Sequence, residues 1–149
     1  MSAVVPPYDD RLARFPYTGL SCGSETPIAP GKKVADTSAN GRRTARFVSG
    51  APILNFFSIQ SADYEVASRD HNGVKLSVYY HRGHDWNVPK MLKAMGQSLD
   101  YYRANFGPYQ FDFARIIEFP GYASFAQAFA GTIPYSETVG FISDYDNPE

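Results

Sequence analysis

The residues able to do chemistry in this sequence are few, so their spacing carries most of the information. The histidines are His71, His81 and His84. His71 lies in Asp70-His71-Asn72-Gly73, a turn sequence, and reads as a solvated turn residue. His81 and His84 are three positions apart, with Asp85 adjacent. On a helix that spacing would put two imidazoles on one face, where a third ligand could complete a metal site. Here the pair follows a strand-like run and encloses Gly83, which argues against a shared helical face. No residue is therefore assigned as a metal ligand. The single cysteine, Cys22, sits among Gly and Ser without a neighbouring base, and no Gly-x-Ser-x-Gly or His-Glu-x-x-His occurs. Gly31-Lys32 lacks the rest of a phosphate-binding loop. No catalytic residue is assigned.

Two carboxylates stand out. Glu118 follows Ile116-Ile117 at the end of a strand-like run, and Glu137 lies between Pro134 and Gly140. A carboxylate at a strand end, flanked by Gly and Pro, can point into a cleft and accept hydrogen bonds from an ammonium group. The plainer alternative is an exposed loop glutamate. The residues alone leave both readings open.

The elements that must position these groups are unevenly legible. Residues 1–41 are rich in Pro, Gly, Ser and Thr without apolar periodicity, and are expected to be irregular, with a helical turn near Asp10–Arg14. Arg43–Val48 reads as extended, and the apolar run Ile53–Gln60 as a buried strand. Tyr64 and Val66, then Val74, Leu76, Val78 and Tyr80, alternate with polar residues around Asn72-Gly73, which predicts a hairpin over about 62–81. Val88, Met91, Leu92, Met95, Leu99, Tyr102 and Phe106 form the stripe of an amphipathic helix, with Asn87 as N-cap, Pro89 in the first turn and Gly107-Pro108 as the stop. Phe113–Phe119 predicts a strand ended by Pro120-Gly121. Residues 122–130 are ambiguous between helix and strand, and Val139–Ser143 predicts a short strand. The fold class expected is α+β, divided as 1–41, 42–84 and 85–149.

Composition narrows the function classes. The 149 residues are 44% hydrophobic, 19% charged and 15% aromatic, a globular balance with room for one domain or less. Fourteen basic against 15 acidic residues give no electrostatic footprint for nucleic acid. The Tyr101-Tyr102 pair therefore reads as core or interface, not as a base-stacking platform. No apolar run approaches the roughly 18 residues of a membrane span. The first residues lack the basic and apolar regions of a secretory signal.

Taken together, several runs resemble the membrane alanyl aminopeptidase family of zinc metallopeptidases (gluzincins). They are Asn87-Val88-Pro89-Lys90-Met91 through Ser98-Leu99-Asp100-Tyr101-Tyr102, then Phe106-Gly107-Pro108-Tyr109, Glu118-Phe119-Pro120-Gly121-Tyr122 and Pro134-Tyr135-Ser136-Glu137-Thr138-Val139-Gly140. The similarity covers about residues 42–145 and is nearest to the bacterial branch fused to ABC-transporter-type membrane proteins. It implies the end of an N-terminal β-domain, then the opening of a thermolysin-like catalytic domain. It also implies that Glu137, with Ser136, Thr138 and Gly140, binds the free N-terminus of a peptide. The family's Gly-x-Met-Glu-Asn-x-Gly keeps only Glu137 and Gly140 here. Its His-Glu-x-x-His, expected soon after this strand, is not in the sequence. The resemblance thus implies zinc in a complete parent, none in this chain, and no activity of the chain alone. The alternatives are a non-enzymatic peptide- or partner-binding module, or a truncated gene remnant.

Overall fold

The computed structural model describes residues 12–13, 16–22, 25–143 and 145–146, with side chains from residue 25 onward. The stretch expected to be irregular is largely extended. Leu12–Ala13 form β1, Pro16–Cys22 β2, Thr26–Ile28 β3 and Lys32–Ala39 β4. Of the helical turn expected at 10–14, only the two residues of β1 are described. Strand β5 (Arg42–Val48) pairs antiparallel with both β2 and β4. Asn40 and Gly41, between β4 and β5, have φ of 51° and 70°. That geometry matches the right-handed twist of paired strands, so Asn40-Gly41 makes a hairpin turn and is not loop punctuation. Every residue of β4 is exposed, which erases the apolar alternation that would betray a strand. The burial lies instead on β5, where Ala45 and Phe47 pack with Ala29.

A second correction concerns the run from residue 53 to 60. The run is broken: Ile53–Leu54 is extended (β6) and paired with β1, residues 55–59 are not in a strand, and Phe56 and Ile59 are exposed. Gln60–Ala62 (β7) pairs with β3.

The expected hairpin is present. Strands β8 (Glu65–His71) and β9 (Val74–Tyr80) pair antiparallel across Asn72-Gly73, whose φ values are 50° and 82°. Helix α1 covers Val88–Phe106, the residues its stripe predicts. Val88, Met91, Leu92 and Met95 bury against Val74, Leu76, Val78 and Ile116, whereas Tyr102 and Phe106 on the same stripe are exposed. Asn87 stands at the N-cap position but makes no side-chain cap bond.

Strand β10 (Phe113–Phe119) lies parallel to β9, and β11 (Thr132–Ser136) lies parallel to β10, giving the order β11-β10-β9-β8. Helix α1 is the crossover that parallel neighbours require. The division expected at 84/85 falls inside this sheet, between hydrogen-bonded neighbours β9 and β10. The strand expected at Val139–Ser143 is a helical turn, α2 (Glu137–Gly140), which Ser136 caps.

Arg115 fastens the N-terminal strands to the sheet. It is buried, with Nη2 donating to the carbonyls of Ala29 (2.5 Å) and Gly31 (3.0 Å), and Nε donating to Thr132 Oγ1 (2.9 Å). Its guanidinium lies 4.8 Å from the Phe113 ring centroid. Burial pulls its pKa down to about 10, so it stays charged at neutral pH. Shortening the side chain would leave buried carbonyls without a donor. Arg115→Met is expected to cost about 2–4 kcal/mol in chemical denaturation, and a loss below about 0.5 kcal/mol would contradict this role.

On the β4–β5 hairpin, the hydrogen bond from Arg43, assisted by Lys33, holds the Asp36 carboxyl well below its ordinary value of 3.8. A lowered folded-state pKa adds stability that is present above pH 3.8 and is lost as pH falls towards the folded value. Asp36→Asn should flatten that acid limb of the stability curve while costing about 1 kcal/mol or less at pH 7.

Candidate functional site

Because β9, β10 and β11 run the same way, their carboxyl ends emerge on one edge, with Glu118 opposite Tyr135 and Phe119 opposite Ser136. In open sheets of parallel strands this edge is where ligands bind. The segments that follow the strands deliver the polar groups: residues 81–84 after β9, 120–121 after β10 and Glu137 after β11.

Glu118 is the penultimate residue of β10 and is wholly buried, not the exposed loop residue of the plainer reading. A carboxylate without water must find donors. The backbone N–H of His81 donates to Oε2 at 2.6 Å, and His84 Nδ1 lies 2.5 Å from Oε1. The Tyr64 hydroxyl donates to the Glu118 carbonyl at 3.0 Å. Burial, and secondarily the Glu118 charge, push the Tyr64 phenol upward from its usual range. The His81 ring lies between those of Tyr64 and His84, at centroid distances of 5.5 and 6.2 Å.

Glu137 is half-buried and opens α2. Its Oε1 accepts the Gly121 N–H at 2.6 Å. A Cβ on residue 121 would lie 2.8 Å from Thr138 Cγ2 and 2.9 Å from Glu137 Oε1, so glycine permits this approach. The outcome is a cluster in which His84, Glu118 and Glu137 bring ligand atoms within 4.8 Å of one another.

The other residues singled out from sequence are placed as follows. Ser136 is buried, and its Oγ accepts the Thr138 N–H (3.4 Å) and lies 2.9 Å from Thr138 Oγ1. Thr138 is exposed and donates to Ser124 Oγ at 3.1 Å. Gly140 is buried where a Cβ would strike the Tyr135 ring and Met91. Asn87, fully buried, donates from Nδ2 to the carbonyls of Gly140 (2.9 Å) and Ser143 (2.5 Å), tying the start of α1 to the end of α2. His71 is not a solvated turn residue. Its Nε2 lies 2.8 Å from Asp100 Oδ1 on α1, above Gly96, and this bond pulls the Asp100 carboxyl down. Lys32 pairs with Asp112 at the surface, and the Cys22 side chain lies outside the described residues.

Sequence reasoning grouped the two histidines together and the two glutamates together. The structure regroups them, setting His84 against the glutamates and His81 against Tyr64. Local spacing carries no signal for that, since Glu118 lies 34 positions from His84 and 37 from His81, whose backbone N–H it accepts. The sheet edge beside Glu137 is also occupied. Gln127 N–H donates to the Pro134 carbonyl and Ser136 N–H to the Phe125 carbonyl, at 3.1 and 3.0 Å. An apolar cavity of about 670 Å³ between α1, β10 and β11 is lined by residues such as Met95, Leu99, Tyr109 and Ile133, and by none of the cluster.

No family model matches the sequence, and no curated protein matches it. Solved structures do. The M1 zinc metallopeptidase from Deinococcus radiodurans is similar at a TM-score of 0.74 and 19% identity, over 85% of this chain and 31% of that one. A two-domain M1 zinc metallopeptidase mutant bound to L-arginine is similar at 0.72 and 19% identity, over the same shares. The chain thus spans less than a third of the length of those structures. Across most of its own length, it has the fold of the corresponding part of M1 zinc metallopeptidases.

Proposed function

We propose that these residues form the part of a zinc metallo-aminopeptidase-like protein that binds the N-terminus of a peptide. Glu137 would hold the substrate's α-ammonium, bordered by Ser136 and Thr138. Gly140 would let α2 pack closely against Tyr135 and Met91. The observation that carries this reading is the position of Glu137, at the carboxyl edge of three parallel strands and beside the buried Glu118. Among the described residues no Lys or Arg contacts these two carboxylates, so the cluster presents acceptor oxygens suited to a cation. The M1-like fold supports the same reading. On it, the four-stranded sheet and α1 belong to the opening of a thermolysin-like peptidase domain. The membrane alanyl aminopeptidase family, in its bacterial transporter-linked branch, is the parentage we favour.

Hydrolysis in such a protein needs a metal that activates water. The donors here do not fit a zinc held by two histidines of one helix. Helix α1 carries no histidine, His71 is engaged by Asp100, and His81 packs on Tyr64. We therefore propose that this chain alone hydrolyses no peptide. Binding is testable on the chain itself. A fluorescent peptide with a free N-terminus should bind, and N-acetylation or Glu137→Gln should each weaken binding about tenfold or more. Equal binding of acetylated and free peptides would refute the assignment of Glu137.

A further inference from the structure

We propose that His84, Glu118 and Glu137 form a binding site for a divalent transition-metal ion of the zinc class, distinct from a His-Glu-x-x-His centre. This departs from the expectation that the chain offers no metal ligand.

The donor set is one imidazole nitrogen and two carboxylate oxygens. Such a mixture suits zinc-class ions better than calcium or magnesium, which prefer oxygen alone. In a tetrahedral site with metal–donor distances of about 2.0–2.2 Å, the donors stand about 3.3–3.6 Å apart. Here they lie within 4.8 Å. Glu137 is the half-buried member of the three and stands at the first position of a one-turn helix, so the small adjustment falls to it.

Three further observations point to a ligand and not to a fortuitous cluster. The first is orientation. The His81 N–H fixes Glu118 and the Gly121 N–H fixes Glu137, each at 2.6 Å. Backbone donors of this kind aim metal-binding carboxylates and stop them rotating away. The second is charge. Among the described residues, the donors to these two carboxylates are His81, His84 and Gly121, with no Lys or Arg. A carboxylate with no solvent exposure, near a second one, is left short of positive charge. The third is place. The three residues come from three separate segments, and they meet at the carboxyl edge of a parallel sheet, where open sheets bind ligands. Three protein ligands leave a coordination position open to water or another small donor.

The experiment is titration of the purified 149-residue chain with Zn²⁺, followed by calorimetry, and with Co²⁺, followed by its visible absorption. Peptide is omitted, so the outcome is independent of the amine-binding reading. One ion per chain is expected. His84→Gln and Glu137→Gln should each weaken uptake about tenfold or more and remove the Co²⁺ band of a protein-bound ion. His71→Gln, whose imidazole lies on the far part of α1, should leave both unchanged. Far-UV circular dichroism checks that each variant keeps the wild-type fold, and Glu137→Gln, at a partly exposed position, serves if His84→Gln does not fold. No saturable uptake, uptake that His84→Gln and Glu137→Gln leave intact, or uptake abolished by His71→Gln would overturn the proposal.

Discussion

The common direction of β9, β10 and β11 is the constraint on which the rest of the structure depends. Parallel neighbours cannot be joined by a tight turn, so α1 must cross over between β9 and β10, and its apolar face becomes the cover of the sheet. The same direction sends the three carboxyl ends to one edge, where short connecting segments place polar groups from distant parts of the chain. Register is as consequential as direction. Successive side chains of a strand face opposite sides, so a slip of one residue in β10 would move Glu118 to the face that Arg115 now occupies.

That alternation separates two buried ions. Arg115 and Glu118 lie three positions apart on β10, hence on opposite faces, and neither neutralises the other. Backbone groups contribute to both: Arg115 is held by the carbonyls of Ala29 and Gly31, and Glu118 by the N–H of His81 beside the His84 side chain. Backbone groups come without a counter-charge. On the Arg115 face two aromatic rings, Phe47 and Phe113, supply part of what a carboxylate would. On the Glu118 face, among the described residues, the side chain that meets the carboxylate is an imidazole. The strand is thereby polarised, its closed cationic side joining structural segments and its anionic side facing the open edge of the sheet.

What the sequence revealed tracks how local the determining forces are. The β8–β9 hairpin, α1 and β10 were legible because alternation, a helical stripe and Asn72-Gly73 are read within a few residues. The β4–β5 hairpin has the same Asn-Gly signal at residues 40–41, but β4 is exposed along its whole length and shows no pattern to confirm it. The run 53–60 fails for the converse reason. Its apolar residues suggest burial, yet Phe56 and Ile59 remain exposed, and too little of the run pairs to form a strand. The strand expected at Val139–Ser143 gives way to a helical turn because Ser136 is a strand end and a helix cap at once, a choice settled by its bond to the Thr138 N–H. At the site, both glutamates could be singled out by their positions beside Gly and Pro. The approach of His84 to them is set by the crossover topology and has no local mark.

The sheet ends in two very different ways. On the β11 side, residues 125–129 supply backbone partners and occupy the ladder. Among the described residues no further strand pairs with β8, and Ser68, Arg69 and Asp70 stand exposed along it. An open ladder is a template on which another chain can grow, and charged side chains make such growth unfavourable. The molecule therefore guards itself against aggregation through occupancy at one border and through charge at the other. The two safeguards respond to different stresses. Added salt weakens the charged border by screening, while leaving the occupied border intact.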